Sequence, residues 1–261
     1  MYIDTHVHLN DETLYNKLDE VLSDARENKV DHFIVVGYDL ESSKRAIELT
    51  KVIPNCYCAI GFHPTEIGGY GDEEYKWLDE HASDDKVVAI GEIGYDFHWD
   101  KTTAEEQKEA FVKQIEIAKK HNLPIIIHSR DALEKTYLTL KETDASKIGG
   151  VMHSYSGSYE YAKNFLDLNF YLGISGPVTF KNGQKMKEVV KEIDINYLLS
   201  ETDSPYLTPS PYRGTENGPK YIPLIVEKIA EIKVMPVSDV VGILMNNAKK
   251  LFKLGEDDEN K

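Results

Sequence analysis

Apolar and polar positions along the chain fall into two alternating kinds of segment. Short runs dense in Val, Ile, Tyr and Phe read as strands at residues 2–7, 32–36, 56–60, 87–90, 124–127, 149–152, 170–173 and 197–199. Between most of them lie longer stretches whose apolar residues recur at helical spacing, at 13–28, 40–52, 103–121, 131–143, 158–168 and 184–193. Strand followed by helix, repeated, builds a parallel sheet, because parallel neighbours need a crossover to bring the chain back. Eight strands of this kind predict an α/β fold of the (β/α)8 TIM-barrel type rather than an open sheet.

The last strand is followed by a loop at 204–223 holding five prolines, and then by helices at 222–233 and 238–252. There is no composition break that would start a second domain. A single barrel over residues 1–255 is expected, with a charged, fraying tail at 256–261. A chain of 261 residues suits this, since such barrels run to roughly 250.

Charge narrows the partners. Against 45 acids stand 30 bases, a formal net charge of −15. An acidic surface disfavours loose, charge-driven binding to nucleic acid or anionic membrane. It leaves phosphate-bearing substrates open, because bound cations invert the field locally. The two cysteines, Cys56 and Cys58, are too close in one strand for an ordinary disulfide and fit a reducing compartment. Met1-Tyr2-Ile3-Asp4 leads straight into a strand, and no apolar run reaches the roughly 20 residues of a membrane helix. A cytoplasmic location is expected, with neither a membrane nor an obligate protein partner.

The candidate chemistry lies in where the histidines fall. His6, His8, His63, His128 and His153, five of the nine, sit at or just past strand ends. Glu92 and Asp203 join them after the fourth and eighth strands. All strands of a barrel open on one face at their C-terminal ends, so residues far apart in sequence converge there. In Asp4-Thr5-His6-Val7-His8 the two histidines are two apart and share a face, within reach of one cation. Glu92, flanked by Gly91 and Gly94 that permit close backbone approach, can bridge two cations with its two oxygens. His128 and His153 each end an apolar strand, and together they make a natural second site of neutral imidazoles. Asp203 closes the circle beside His6 and His8 and can accept a proton from an attacking water. Glu201, two residues earlier on the same face, either supports the ligands or belongs to an ion pair. Each residue alone has a plainer reading, such as a cap, a core histidine or a salt bridge. Their joint placement at one end favours a metal centre.

Arginine matches phosphate oxygens bidentately. Arg130 follows His128 closely, and Arg213 lies in the proline-rich loop, so both are candidate phosphate contacts; the alternative for each is a surface ion pair. His63 is expected near the centre without being a primary ligand. It would either donate to a phosphate oxygen or hold its loop beside Pro64.

Taken together, Ile3-Asp4-Thr5-His6-Val7-His8-Leu9, Gly61-Phe62-His63-Pro64, Gly91-Glu92-Ile93-Gly94-Tyr95-Asp96, His128-Ser129-Arg130, His153-Ser154-Tyr155-Ser156-Gly157-Ser158 and Glu201-Thr202-Asp203-Ser204-Pro205 resemble the TatD family of metal-dependent deoxyribonucleases, within the amidohydrolase-like barrels. The resemblance implies a first metal site of His6, His8, Glu92 and Asp203 and a second of Glu92, His128 and His153. It also implies divalent-metal-dependent hydrolysis of DNA phosphodiesters, often with 3′–5′ exonuclease character. Glu92 and Asp203 would be catalytic. The ions, two in number, could be zinc, manganese, cobalt, nickel or magnesium. Departures lie in loops that face substrate: Tyr212 stands where the family commonly has histidine, Gly218 where it has glutamate, and Ser154-Tyr155 where it has Cys-Phe. A hydrolase of another ester or amide bond on the same barrel is the alternative. A silent, partner-binding barrel would have lost ligands, and none of the six is missing.

Overall fold

The computed structural model describes residues 1–255; the charged tail at 256–261 lies outside the described residues. Eight parallel strands form one sheet in the order β1 to β8. They are β1 (Tyr2–Val7), β2 (Val30–Val36), β3 (Cys56–Ile60), β4 (Val87–Asp96), β5 (Ile125–Arg130), β6 (Gly150–Met152), β7 (Phe170–Ile174) and β8 (Leu198–Ser200). The helices are α1 (Glu12–Tyr15), α2 (Leu18–Glu27), α3 (Leu40–Val52), α4 (Asp72–His81), α5 (Ala104–His121), α6 (Leu133–Glu142), α7 (Tyr159–Asp167), α8 (Gln184–Glu192), α9 (Ile222–Lys233) and α10 (Val237–Phe252). Among the described residues, no helix is long and apolar enough to cross a membrane.

Period-two alternation divides the core in two. Phe33, Val35, Ile125 and Ile127 pack outward against the helices, whereas Ile34, Val36, Ile126, Val151 and Leu199 form a separate inner cluster. That inner cluster also takes in Ala248, Leu251, Phe252 and Leu254 from the C-terminal helix and the residues after it. Apolar packing thus fills the inside of the barrel and leaves polar side chains to its other end.

The barrel closes between β8 and β1, largely through side chains. Thr5 Oγ1 donates to the Ser200 carbonyl at 3.1 Å, and Ser200 Oγ donates to the Ile3 carbonyl at 3.1 Å. Buried Asp4 accepts from the backbone N–H of Thr202 at 2.9 Å and from its hydroxyl at 2.5 Å. Further along, Asp203 N–H donates to the His6 carbonyl at 2.9 Å, and His8 N–H to the Ser204 carbonyl at 3.0 Å. A parallel bridge joins Val7 to Ser204.

Elements differ from the sequence reading at several points; β5, for one, runs on to Arg130 and so takes in His128. β4 runs on to Asp96, so Glu92 lies inside a strand rather than after one. The helix expected at 13–28 is two, broken at Asn16 and Lys17, where Lys17 leaves helical geometry with φ −135° and ψ 34°. α4 was not anticipated: Leu78 is its one buried residue, so its sequence shows little apolar periodicity.

A candidate metal centre at the strand ends

Each inward-facing ligand candidate owes its direction to its strand. On β5, Ile126 faces in, and alternation brings His128 to the same side; on β6, Val151 does this for His153. β1 and β4 do not alternate strictly. Ile3 belongs to the inner cluster and Val7 to the outer, with a register shift between Asp4 and Val7, and that shift turns His6 and His8 inward. On β4, Ile90 and Ile93 both face out, with a register shift between them that turns Glu92 inward. An irregularity of this kind re-aims a side chain at the expense of the ladder. Gly94 keeps a positive φ of 142°, and a side chain there would strike the His128 carbonyl, so β4 and β5 approach closely only because it is glycine. Asp203 also has positive φ, 59°, in a turn closed by Tyr206 N–H on its carbonyl at 2.8 Å. Aspartate tolerates this region better than most residues.

The structure brings His6, His8, His63, Glu92, His128, His153 and Asp203 together. The two oxygens of Glu92 face different halves of the cluster. Oε1 lies 2.7 Å from His128 Nδ1, 3.7 Å from His153 Nε2 and 3.9 Å from His63 Nε2. Oε2 lies 3.5 Å from His6 Nε2 and 3.9 Å from His8 Nε2. Asp203 Oδ1 is 3.4 Å from His8 Nε2, 3.8 Å from His6 Nε2 and 3.7 Å from His153 Nε2. Ligand atoms of His6, His8 and Asp203 lie within 4.8 Å of one another, as do those of His63, Glu92 and His128.

These contacts fit cations. His8 Nδ1 faces the Val36 carbonyl at 2.9 Å, so it carries a proton and leaves Nε2 as the lone-pair nitrogen. That nitrogen stands 3.2 Å from His6 Nε2, and carboxylate oxygens converge on the pair. Buried carboxylates need compensating positive charge. Burial works against ionising Glu92, but the charge of His153 and the close approach of the His128 and His6 rings outweigh it and hold its pKa well below the usual range. Asp203 is likewise lowered, with burial overcome by His153 and His8. His153 is pushed up to about 10, burial being outweighed by Glu201, Asp203 and Glu92. His63, by contrast, is lowered to about 3 by burial and by its neighbour His128.

Two carboxylates stand behind the ligands. Glu201 Oε1 lies 2.9 Å from His153 Nδ1 and accepts from Ser154 N–H at 2.6 Å. Glu201 therefore contacts the ring at one of the candidate ligand positions, His153. Asp96 Oδ2 lies 2.9 Å from His128 Nε2, a role that sequence reasoning did not assign. Its signal was faint: Asp96 is one carboxylate four residues past another. Gln107 of α5 was also missed. It clamps the backbone of Asp96, accepting from its N–H at 3.0 Å and donating to its carbonyl at 2.9 Å.

His63 is inside the cluster, with its ring 4.2 Å from that of His128 and its Nδ1 2.8 Å from Thr65 Oγ1. Arg130 and Arg213 are exposed and, among the described residues, have no ion pair. Each guanidinium lies on a ring instead, Arg130 at 5.7 Å from Trp99 and Arg213 at 4.3 Å from Phe180.

Comparison with known proteins finds relatives over nearly the whole chain. The family described as TatD related DNase matches residues 3–253. YabD of Bacillus subtilis, an uncharacterized metal-dependent hydrolase, is 47% identical, covering 97% of this chain and 100% of its own. YcfH of Escherichia coli, described in the same words, is 33% identical over 97% of this chain and 96% of its own. The crystal structure of YjjV, a TatD homolog from Escherichia coli, superposes with a TM-score of 0.92 at 29% identity, covering 97% of this chain and 98% of that one.

Proposed function

The chain belongs to the TatD-related DNase family, and from that premise we propose that this metal-dependent hydrolase cleaves DNA phosphodiesters, working from the 3′ end. The observation that carries the reading is the pair of exposed arginines without acidic partners among the described residues, Arg130 and Arg213, on the strand and loop that follow candidate ligand positions His128 and Asp203. A guanidinium free of carboxylates is available to a phosphate.

In this reading His6, His8 and Asp203 would hold one divalent ion and His128 and His153 another, with Glu92 available to both. The split of Glu92 Oε1 and Oε2 toward the two halves supports that division. Zinc, manganese, cobalt, nickel and magnesium all suit imidazole and carboxylate ligands, magnesium least naturally. Bound cations supply Lewis-acid polarisation of the phosphoryl oxygens. The chain's own residues do the rest. Arg130 and Arg213 bind and orient the phosphate, and His63 turns Nε2 toward the same centre to contact it. Asp203 is more exposed than Glu92, with 14% against 6% of the side chain accessible, and keeps Oδ2 clear of the contacts made by Oδ1. It accepts the proton of the attacking water at Oδ2 as the water approaches phosphorus in line with the leaving oxygen.

The test is metal-reconstituted protein assayed on end-labelled single- and double-stranded DNA beside a panel of ester, lactone and amide substrates. Progressive shortening from the 3′ end is expected. Hydrolysis of an amide or lactone with DNA left intact would overturn the reading in favour of another bond.

A further inference from the structure

Asp96 is buried at the end of β4, and its side chain makes three contacts. Oδ2 faces His128 Nε2 at 2.9 Å. Oδ1 accepts the backbone N–H groups of His98 at 2.9 Å and Trp99 at 3.1 Å. An ionised carboxylate only accepts, so His128 must carry its proton on Nε2, and Nδ1, 2.7 Å from Glu92 Oε1, is the nitrogen with a lone pair to offer a cation. His153 is arranged the opposite way. Glu201 Oε1 lies 2.9 Å from its Nδ1, and Nε2 is turned to the centre. The other end of the Asp96 carboxylate sets a loop. Trp99 is 54% exposed, and its ring lies under the guanidinium of Arg130.

We propose that Asp96 is a positioning residue with two simultaneous tasks: it selects Nδ1 of His128 as the metal-binding nitrogen, and it fixes the loop that presents Trp99 beside Arg130. The proposal rests on the two-cation reading of the centre. Asparagine, nearly isosteric, has one accepting oxygen and one donating NH2, so it can perform only one of these tasks. With its oxygen on the two loop N–H groups, its NH2 faces His128 Nε2 and demands a lone pair there. The imidazole proton then moves to Nδ1 and blocks the cation. With the amide turned over, the loop loses both of its hydrogen bonds. Two backbone donors against one imidazole favour the first orientation.

The experiment compares the full chain with its Asp96→Asn variant, both carrying Trp77→Phe so that Trp99 is the one tryptophan left. Calorimetric titration of metal-free protein with Mn²⁺ counts the ions and measures their affinity. Emission maximum and acrylamide quenching report on Trp99. Asp96→Asn is expected to weaken the second equivalent by about 10–100-fold while Trp99 emission stays unchanged. The reverse split, two ions held normally with an altered Trp99, also supports the proposal, with the amide turned over. Two ions at parental affinity together with parental Trp99 emission overturn it. So does loss of both properties with a lowered melting temperature of the metal-free protein, which makes Asp96 a general structural residue. If the parent itself binds a single equivalent, it is the two-cation reading that fails.

Discussion

Two clusters in this molecule pair histidine with carboxylate at the same distance, and they are opposites. On the α4–α5 surface, His121 Nε2 lies 2.7 Å from Asp79 Oδ1, Ser83 Oγ lies 3.0 Å from His121 Nδ1, and Lys120 Nζ reaches Asp79 Oδ2 at 2.6 Å. At the strand ends, His128 Nδ1 also lies 2.7 Å from a carboxylate oxygen, that of Glu92. On the surface every ring nitrogen has a complementary partner, and a lysine supplies the countercharge. In the barrel two imidazole nitrogens face one another at 3.2 Å, and His6 Nδ1 and Glu201 Oε2 are buried without hydrogen-bond partners. A short histidine–carboxylate distance therefore does not mark a metal centre. Buried nitrogens turned toward each other, with carboxylates converging on them, do.

The change that should break this contrast most is Asp203→Asn. It is nearly isosteric, so the melting temperature should hold, while turnover falls about 10²–10⁴-fold at saturating metal. Normal metal content with more than about a tenth of parental kcat would remove Asp203 as the base, since that falls far short of the expected loss. The role would then pass to Glu201, whose Oε1 is tied to His153 and Ser154 while its Oε2 has no partner.

Next in size is Glu201→Gln, which weakens the carboxylate support behind His153. Metal affinity should drop by about 10–100-fold. Dialysis against graded chelator followed by elemental analysis measures it, and parental retention would reduce Glu201 to a packing role.

Arg213→Ala should cost about 1.5 kcal/mol of transition-state binding, roughly tenfold in kcat/KM for phosphate-bearing substrates, with metal content unchanged. An unaltered kcat/KM would return Arg213 to the surface. His63→Ala should slow turnover by a similar factor and leave the number of bound ions as it was. Loss of an ion would instead make His63 a ligand.

The smallest effect is expected in the surface cluster. Asp79 has its pKa lowered by the hydrogen bonds from Lys120 and His121, so its stabilisation is present above the ordinary carboxylate value and is lost as pH falls from there through its lowered folded-state value. Asp79→Asn should shift stability by no more than about 0.2–1 kcal/mol at neutral pH and leave turnover alone. Denaturant titration at pH 7 and pH 3 checks both the size and the sign. A large activity loss would mean that the two clusters are coupled.

The strand pattern was legible because a buried parallel strand is nearly all apolar, and 125–127 or 56–60 can be little else. α4 was not legible, because a helix that buries one leucine leaves almost no periodic signal. The end of β4 was missed for a related reason. Gly91, Glu92 and Gly94 break the apolar run, although the backbone stays in the sheet. Among site residues, the six candidate ligand positions were readable because each lies in the C-terminal half of a strand or shortly past it, whereas Asp96 and Gln107 act through other residues and carry no local mark.

The sequence by itself determined the parallel barrel and the set of imidazoles and carboxylates delivered to one end of it, because period-two burial and strand-end position are local properties. Only the tertiary structure decided how that set is aimed. The register shifts in β1 and β4 that turn His6, His8 and Glu92 inward depend on pairing with neighbouring strands. The choice between Nδ1 of His128 and Nε2 of His153 is made by Asp96 and Glu201, since a ring's free nitrogen is set by whatever holds the other one.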